Sequence, residues 1–236
     1  MEAWIEFGKG PLFRLAFVIM LLGLIRALFL VLVGMVEAYH RAGDRVLPWA
    51  DLHKKTLMWM FPVKRIFNRR PVYSIVSFIW HIGLILVPIF YSAHVLLLMN
   101  QSLGVTWWPV LAQDVAHILT WITVAGGVLL FLMRYIPAMS RRLSKFMDGF
   151  WVVLITAVFV TGAICAQTAV SAYGYQVSML IHIYGANLIL VLLPFSKTAH
   201  SVLFPLGQYA GAIGWKFPKG AGAKVRTTIG KEVNHV

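Results

Sequence analysis

The stretch "HIYGANLILVLLPFSKTAH", residues 182–200, decides the fold. It is apolar almost throughout, yet it carries an ionisable ring at each end. An apolar run of about twenty residues is what a helix needs to cross a bilayer. Similar runs recur along the 236 residues, which are 60% hydrophobic and 12% charged, with a mean hydropathy of +0.78. The class this implies is an all-α polytopic membrane protein. Lipid offers the backbone no water to bond, so spans are helices or closed barrels. Barrel strands are shorter and alternate in polarity, which these runs do not.

Working outward from that stretch, five spans are expected at about 11–37, 72–99, 111–134, 149–170 and 177–203. The loop 40–71 holds Arg41, Arg45, Lys54, Lys55, Lys64, Arg65, Arg69 and Arg70, and the third connection holds Arg134, Arg141, Arg142 and Lys145. The tail holds Lys216, Lys219, Lys224, Arg226 and Lys231. The two other connections, "NQSLGVTWWPVLAQD" and "QTAVSAYGYQ", carry no Lys or Arg. The positive-inside rule then puts the N-terminus outside and the C-terminus in the cytoplasm, in a prokaryotic inner membrane. Trp107, Trp108, Tyr173 and Tyr175 fall where an outer aromatic belt belongs. Loop 40–71 mixes aromatic, aliphatic and basic residues, as an interfacial helix or a docking surface does. Residues 1–206 read as one membrane domain and 207–236 as a solvated basic tail.

The net charge of +13 belongs to these loops and sets orientation, so nucleic acid is not an expected partner. Cys165 stands alone, which excludes an intrachain disulfide and a cysteine-held iron–sulfur cluster in this chain. The segment "MEAWIEFGKGPLF" shows no cleavage-site pattern, so the first span is expected to be retained.

Of eight histidines, His40, His53 and His235 fall in polar segments and read as surface residues. His81, His94, His117, His182 and His200 fall inside the expected spans, where ionisable groups mark function. With helices two and five antiparallel, His81 and His200 share the cytoplasmic half, and His94 and His182 the outer half. Facing imidazoles are how a b-type haem is held with both axial positions filled. Two such pairs would hold two haem b groups, their irons bound by His81, His94, His182 and His200. On a continuous helix His182 and His200 lie about five turns and ~27 Å apart on one face. His81 and His94, 13 residues apart, point roughly 140° away from each other on an ideal helix. Pro88 lies between them, where a kink could correct the mismatch. The competing readings are a haem-free proton-coupled transporter and a pure membrane anchor. A relay needs carboxylates deep in the spans, and Glu37, Asp114 and Asp148 all sit at span ends.

The same stretch resembles the last helix of the respiratory nitrate reductase gamma subunit family, which includes cytochrome b subunits of heterodisulfide reductase and of sulfite-reduction-associated complexes. The shared features are the two histidines 18 apart and the Pro194-Phe195-Ser196-Lys197 segment between them. "FIWHIG", residues 78–83, is similar to helix two of that family. In the nitrate reductase branch the helix-two histidines lie about ten apart, which would fall on Tyr91. The wider step to His94, with "RRP" before the helix, looks more like the sulfate-reducer-type complexes. The resemblance implies a di-haem subunit carrying electrons between the quinone pool and a partner subunit. That partner would be a cytoplasmic heterodisulfide-reductase-like iron–sulfur protein or a periplasmic multihaem cytochrome c.

Further candidates follow from position. Arg26, mid-span, is a candidate partner for a haem propionate, as are Lys197 and Arg134. Asp114 and His117, three apart on the third helix, are candidates to take protons from a bound quinol. His117 is also the alternative fourth ligand.

Overall fold

The computed structural model describes residues 1–60, 70–167 and 169–228. Among these, five helices are long and apolar enough to cross a membrane: Glu2–Arg41, Pro71–Phe90, Gln113–Tyr135, Phe146–Cys165 and Ala172–Phe195. In chain order we name α1 (Glu2–Arg41), α2 (Trp49–Met60), α3 (Pro71–Phe90), α4 (Ser92–Val95) and α5 (Gln113–Tyr135). There follow α6 (Ala138–Leu143), α7 (Phe146–Cys165), α8 (Ala172–Leu192), α9 (His200–Gly214) and α10 (Ala221–Thr228). The chain is thus an all-helical, multi-pass membrane protein.

Two compact units divide it: Met1–Ile19 with Lys64–Leu192, and Met20–Val63 with Leu193–Val236. In the first, α3 packs on α5, α5 on α7 and α7 on α8, while the start of α1 lies on α8. The core between α3, α5 and α7 is Trp80, Val87, Leu130, Trp151, Ile155 and Phe159. Lipid tails are as apolar as these side chains, so helices associate by close packing rather than by the hydrophobic effect. Small residues allow it. A Cβ on Gly83 would collide with Thr123 Oγ1, and one on Gly126 would lie 3.3 Å from the Trp80 ring. Thr123 and Thr156 return their hydroxyls to backbone carbonyls at 2.7 Å, so neither is an orphan in the core.

Helix α1 starts earlier than expected. Glu2 sits favourably in its first turn, and a π-helical stretch, Gly8–Leu12, surrounds Pro11. Proline has no N–H to close the α-helical bond, and the wider turn absorbs the loss. Gly8 lies against Ile183, and its carbonyl accepts from Asn187 Nδ2 at 3.0 Å. Asn187 is buried in mid-α8, a polar side chain that tethers α1.

In the second unit the segment from residue 207, read from composition as a basic tail, opens inside a helix. Helix α9 carries through that point to Gly214. The chain beyond it returns to the connection after α1: Gly43 N donates to Phe217 O at 2.9 Å and Lys216 pairs with Asp44. The Tyr209 ring lies edge-on to His53, 5.6 Å away, which joins α9 to α2. This reuse of the tail follows from its apolar "AIGWKF" segment, which a composition reading based on Gly and Lys passes over. Lys64, Arg65, Arg69, Lys231 and His235 lie outside the described residues.

Candidate haem-binding site

The second expected span is not one helix. Helix α3 stops at Phe90, and Tyr91 is extended, with φ −71° and ψ 135°. The chain then turns through α4 into a π-helical segment, Leu96–Ser102. Pro88 begins the weakness, because it cannot donate to Leu84. The connection from α4 to α5 completes the break by capturing the carbonyls it frees. Trp108 Nε1 donates to Ile89 O at 3.1 Å and Leu111 N donates to Phe90 O at 2.9 Å. Trp108 also stacks on Phe90, with ring centres 6.0 Å apart.

The break re-aims His94. Its ring lies parallel to that of His182, within 5°, with centres 5.9 Å apart. Two imidazoles bonded to one metal ion at ~2 Å each have ring centres roughly 6 Å apart. Both rings are oriented through Nδ1: that of His182 meets Val158 O on α7 at 2.8 Å, and that of His94 meets Val87 O at 3.4 Å. A neutral ring donating from Nδ1 keeps the Nε2 lone pair for a metal. Room for His182 comes from Gly162, where a Cβ would lie 2.8 Å from Cε1 of the ring.

His81 stands in mid-α3, with Nδ1 2.7 Å from Ser77 O and the Trp80 ring edge-on at 5.1 Å. His200 belongs to the second unit and opens α9, with Nδ1 2.6 Å from Lys197 O. The expected continuous helix over 177–203 is therefore corrected, and with it the argument that His182 and His200 share one helix face. Helix α8 ends at Leu192, two short 3₁₀ turns follow, and Ser196 is extended. Pro194 prevents the helix from continuing, and Ser196 Oγ accepts from Thr198 N at 3.3 Å to start the next turn.

The outlying candidates separate. Arg134 Nε donates to Ser144 Oγ at 3.0 Å, and its guanidinium pairs with Asp148 at 3.3 Å. Through these two contacts it closes the α5–α7 connection. Arg26 is exposed and makes no hydrogen bond or ion pair among the described residues. Lys197 is exposed, one turn before His200. His117 is not joined to Asp114. Its Nε2 meets Gln113 Nε2 at 3.3 Å, and Gln113 Nε2 also donates to Tyr91 OH at 3.5 Å. Tyr91 in turn lies edge-on to His94, 5.4 Å away. Tyr91 and Gln113 were missed in the sequence. The i, i+4 spacing of Gln113 and His117 was the available signal.

Among the described residues no three His, Cys, Asp or Glu side chains converge. A pair is too few for zinc, which takes three or four protein ligands, but is what a haem iron asks of a protein. The donor set, ring spacing and fixed tautomers of His94 and His182 therefore fit a b-type haem.

A protein of Nitratidesulfovibrio vulgaris is 30% identical over 174 residues, covering 73% of this chain and 74% of that protein. The chain belongs to that protein's family. No family model matches the chain, and no solved structure does.

Proposed function

We propose that this protein is the membrane cytochrome b subunit of a respiratory redox complex, carrying electrons between the quinone pool and a partner subunit through two bis-histidine b haems. The observation that carries the reading is the parallel pair of His94 and His182, 5.9 Å apart, brought together by a broken helix and held by backbone carbonyls. His81 and His200 form the second ligand pair in this reading. Each offers the same chemistry, an Nδ1 held by a carbonyl and an Nε2 left for iron. Charge alternation supports an N-terminus outside and puts the His81–His200 level toward the cytoplasm. Arg26 and Lys197 remain the cations proposed for haem propionates.

When bound, the haems supply reversible one-electron storage. With both axial positions taken by histidine, no coordination site is left for oxygen or substrate. The chain's own tasks are then to fix the ligand rings, exclude water from the His94–His182 pair, and bind a quinone head group near His117 at the outer end of α5. The proposed partner is a cytoplasmic iron–sulfur subunit of heterodisulfide-reductase type, reached from the basic face that Arg70, Arg141 and Arg142 help form.

The test is a reduced-minus-oxidised spectrum of the purified protein, with haem quantified per chain. Two b haems are expected. A haem-free protein of native fold would overturn the reading and leave a transporter or an anchor.

A further inference from the structure

The start of α1 and the segment after α4, both in the first compact unit, enclose a cavity of about 270 Å³. Each wall is π-helical, Gly8–Leu12 on one side and Leu96–Ser102 on the other. Turns of this kind recur at functional sites. A Cβ on Gly10, which lines the cavity, would meet nothing within 4 Å, so the space there is open. Both walls pass from polar to apolar where they meet it. Glu6, Lys9 and Arg14 reach it from α1, and residues 15–25, "LAFVIMLLGLI", carry no charge. Gln101 and Ser102 reach it from the other wall, after the apolar run "VLLLM", residues 95–99. Phe13 and Leu97 supply its apolar lining. Lys9 Nζ lies 3.8 Å from a Glu6 carboxylate oxygen. The side chains of Arg14 and Gln101 make no hydrogen bond or ion pair among the described residues. The cavity thus holds one positive charge with nothing opposite it, at the edge of an apolar run where such a charge is costly.

We propose that this cavity binds the headgroup of a singly anionic phospholipid of the phosphatidylglycerol type, with Arg14 on its phosphodiester. The site owes nothing to the haem assignment. A guanidinium presents its N–H groups as a fork that fits two phosphate oxygens, and those bonds are charge-assisted. Ser102 Oγ donates to Leu97 O at 2.7 Å, so its oxygen is left to accept from a glycerol hydroxyl, and the Gln101 amide can meet another. Below the headgroup, the acyl chains find Leu15 and Val18, which are exposed on α1 next to Arg14. Selection follows from charge. Glu6 already offsets Lys9, so one phosphodiester cancels the charge of Arg14. A phosphatidylethanolamine brings its own ammonium group, which leaves the positive charge of the cavity standing.

The experiment is native mass spectrometry of the full-length protein in detergent, titrated with dioleoyl-phosphatidylglycerol or dioleoyl-phosphatidylethanolamine. The wild-type protein should take up its first phosphatidylglycerol about tenfold more tightly, the difference that one charge-assisted hydrogen bond makes. Arg14→Gln should abolish that preference, and Arg14→Lys should keep most of it. Gly10→Leu tests the space instead of the charge. Its side chain fills the cavity, so phosphatidylglycerol should bind no better than phosphatidylethanolamine, and this variant decides the matter if Arg14→Gln folds poorly. Equal binding of the two lipids by the wild-type protein would overturn the proposal. So would a wild-type preference that survives in both Arg14→Gln and Gly10→Leu. Millimolar inorganic phosphate should leave the lipid in place. Displacement by phosphate would assign the cavity to the free anion and overturn the lipid as its occupant.

Discussion

Two helix breaks lie between the histidines of this protein, and they are built differently. The first, at Tyr91, is closed by a distant segment: Trp108 and Leu111 capture the carbonyls of Ile89 and Phe90. The second, at Pro194–Ser196, is closed locally, by Ser196 capping the turn that leads to His200. The first turns His94 onto His182 within a single compact unit. The second hands the chain from one unit to the other, so that His200 begins a new helix. Both spacings, 13 and 18 residues, are therefore spacings across a break and not registers on a helix. A pair of facing side chains can be written into a sequence without its periodicity, provided a proline marks where the periodicity stops.

The largest effect should come from the proposed ligands. His94→Ala or His182→Ala should each reduce haem from two to about one per chain, measured as pyridine haemochrome. His81→Ala or His200→Ala should remove the other haem, with a different residual spectrum. If His94→Ala and His200→Ala remove the same haem, the two breaks do not serve separate pairs. Next comes Gly162→Ala, whose new methyl would meet the His182 ring at 2.8 Å. Overpacking of this kind costs about 1–3 kcal/mol. It should lower the melting temperature and deplete only the His94–His182 haem.

Smaller effects tell the two closures apart. Trp108→Phe keeps the stacking on Phe90 and loses the bond to Ile89 O, at ~1 kcal/mol. Ser196→Ala loses the local cap, also at about 1 kcal/mol. The first should perturb haem at His94, the second should not, and thermal melts with spectra on each variant would show it. Arg134→Gln should cost less than ~1 kcal/mol, because the pair with Asp148 is partly exposed and screened. Its haem content should stay at the wild-type value.

The smallest effect concerns the tail. Lys216 beside Asp44 holds the Asp44 carboxyl below its ordinary value. A carboxyl depressed on folding stabilises above its unfolded pKa of about 3.9, and that contribution fades as pH falls through the folded value. In Lys216→Met, carboxyl NMR should show the Asp44 midpoint moving up toward about 3.9.

Five apolar runs separated by alternating basic and neutral connections could be read directly, since length and charge are local properties. The break at Tyr91 could not. Pro88 announces a weakness, but the residues that make it a turn lie some twenty positions later. The last helix misled for a related reason: hydropathy runs unbroken through Leu193 and Phe195 while the backbone does not. At the start of α5 the carboxylate at 114 is the conspicuous neighbour in the sequence, while the partner of His117 is the amide one residue before it. Arg134 meets its partner Asp148 across a short turn, which no spacing rule on one helix would reveal.

Gly83, Gly126, Gly127 and Gly162 share one property, that the helices meet where these residues have no side chain. A contact made by absence can be spoiled only by addition. No substitution at these four positions can reduce the volume there, so every mutational step away from glycine pushes in the same direction, toward separated helices. The protein's tolerance to change is therefore lopsided. Its lipid-facing surfaces can drift among apolar residues of any size, while its helix contacts already stand at the smallest residue there is.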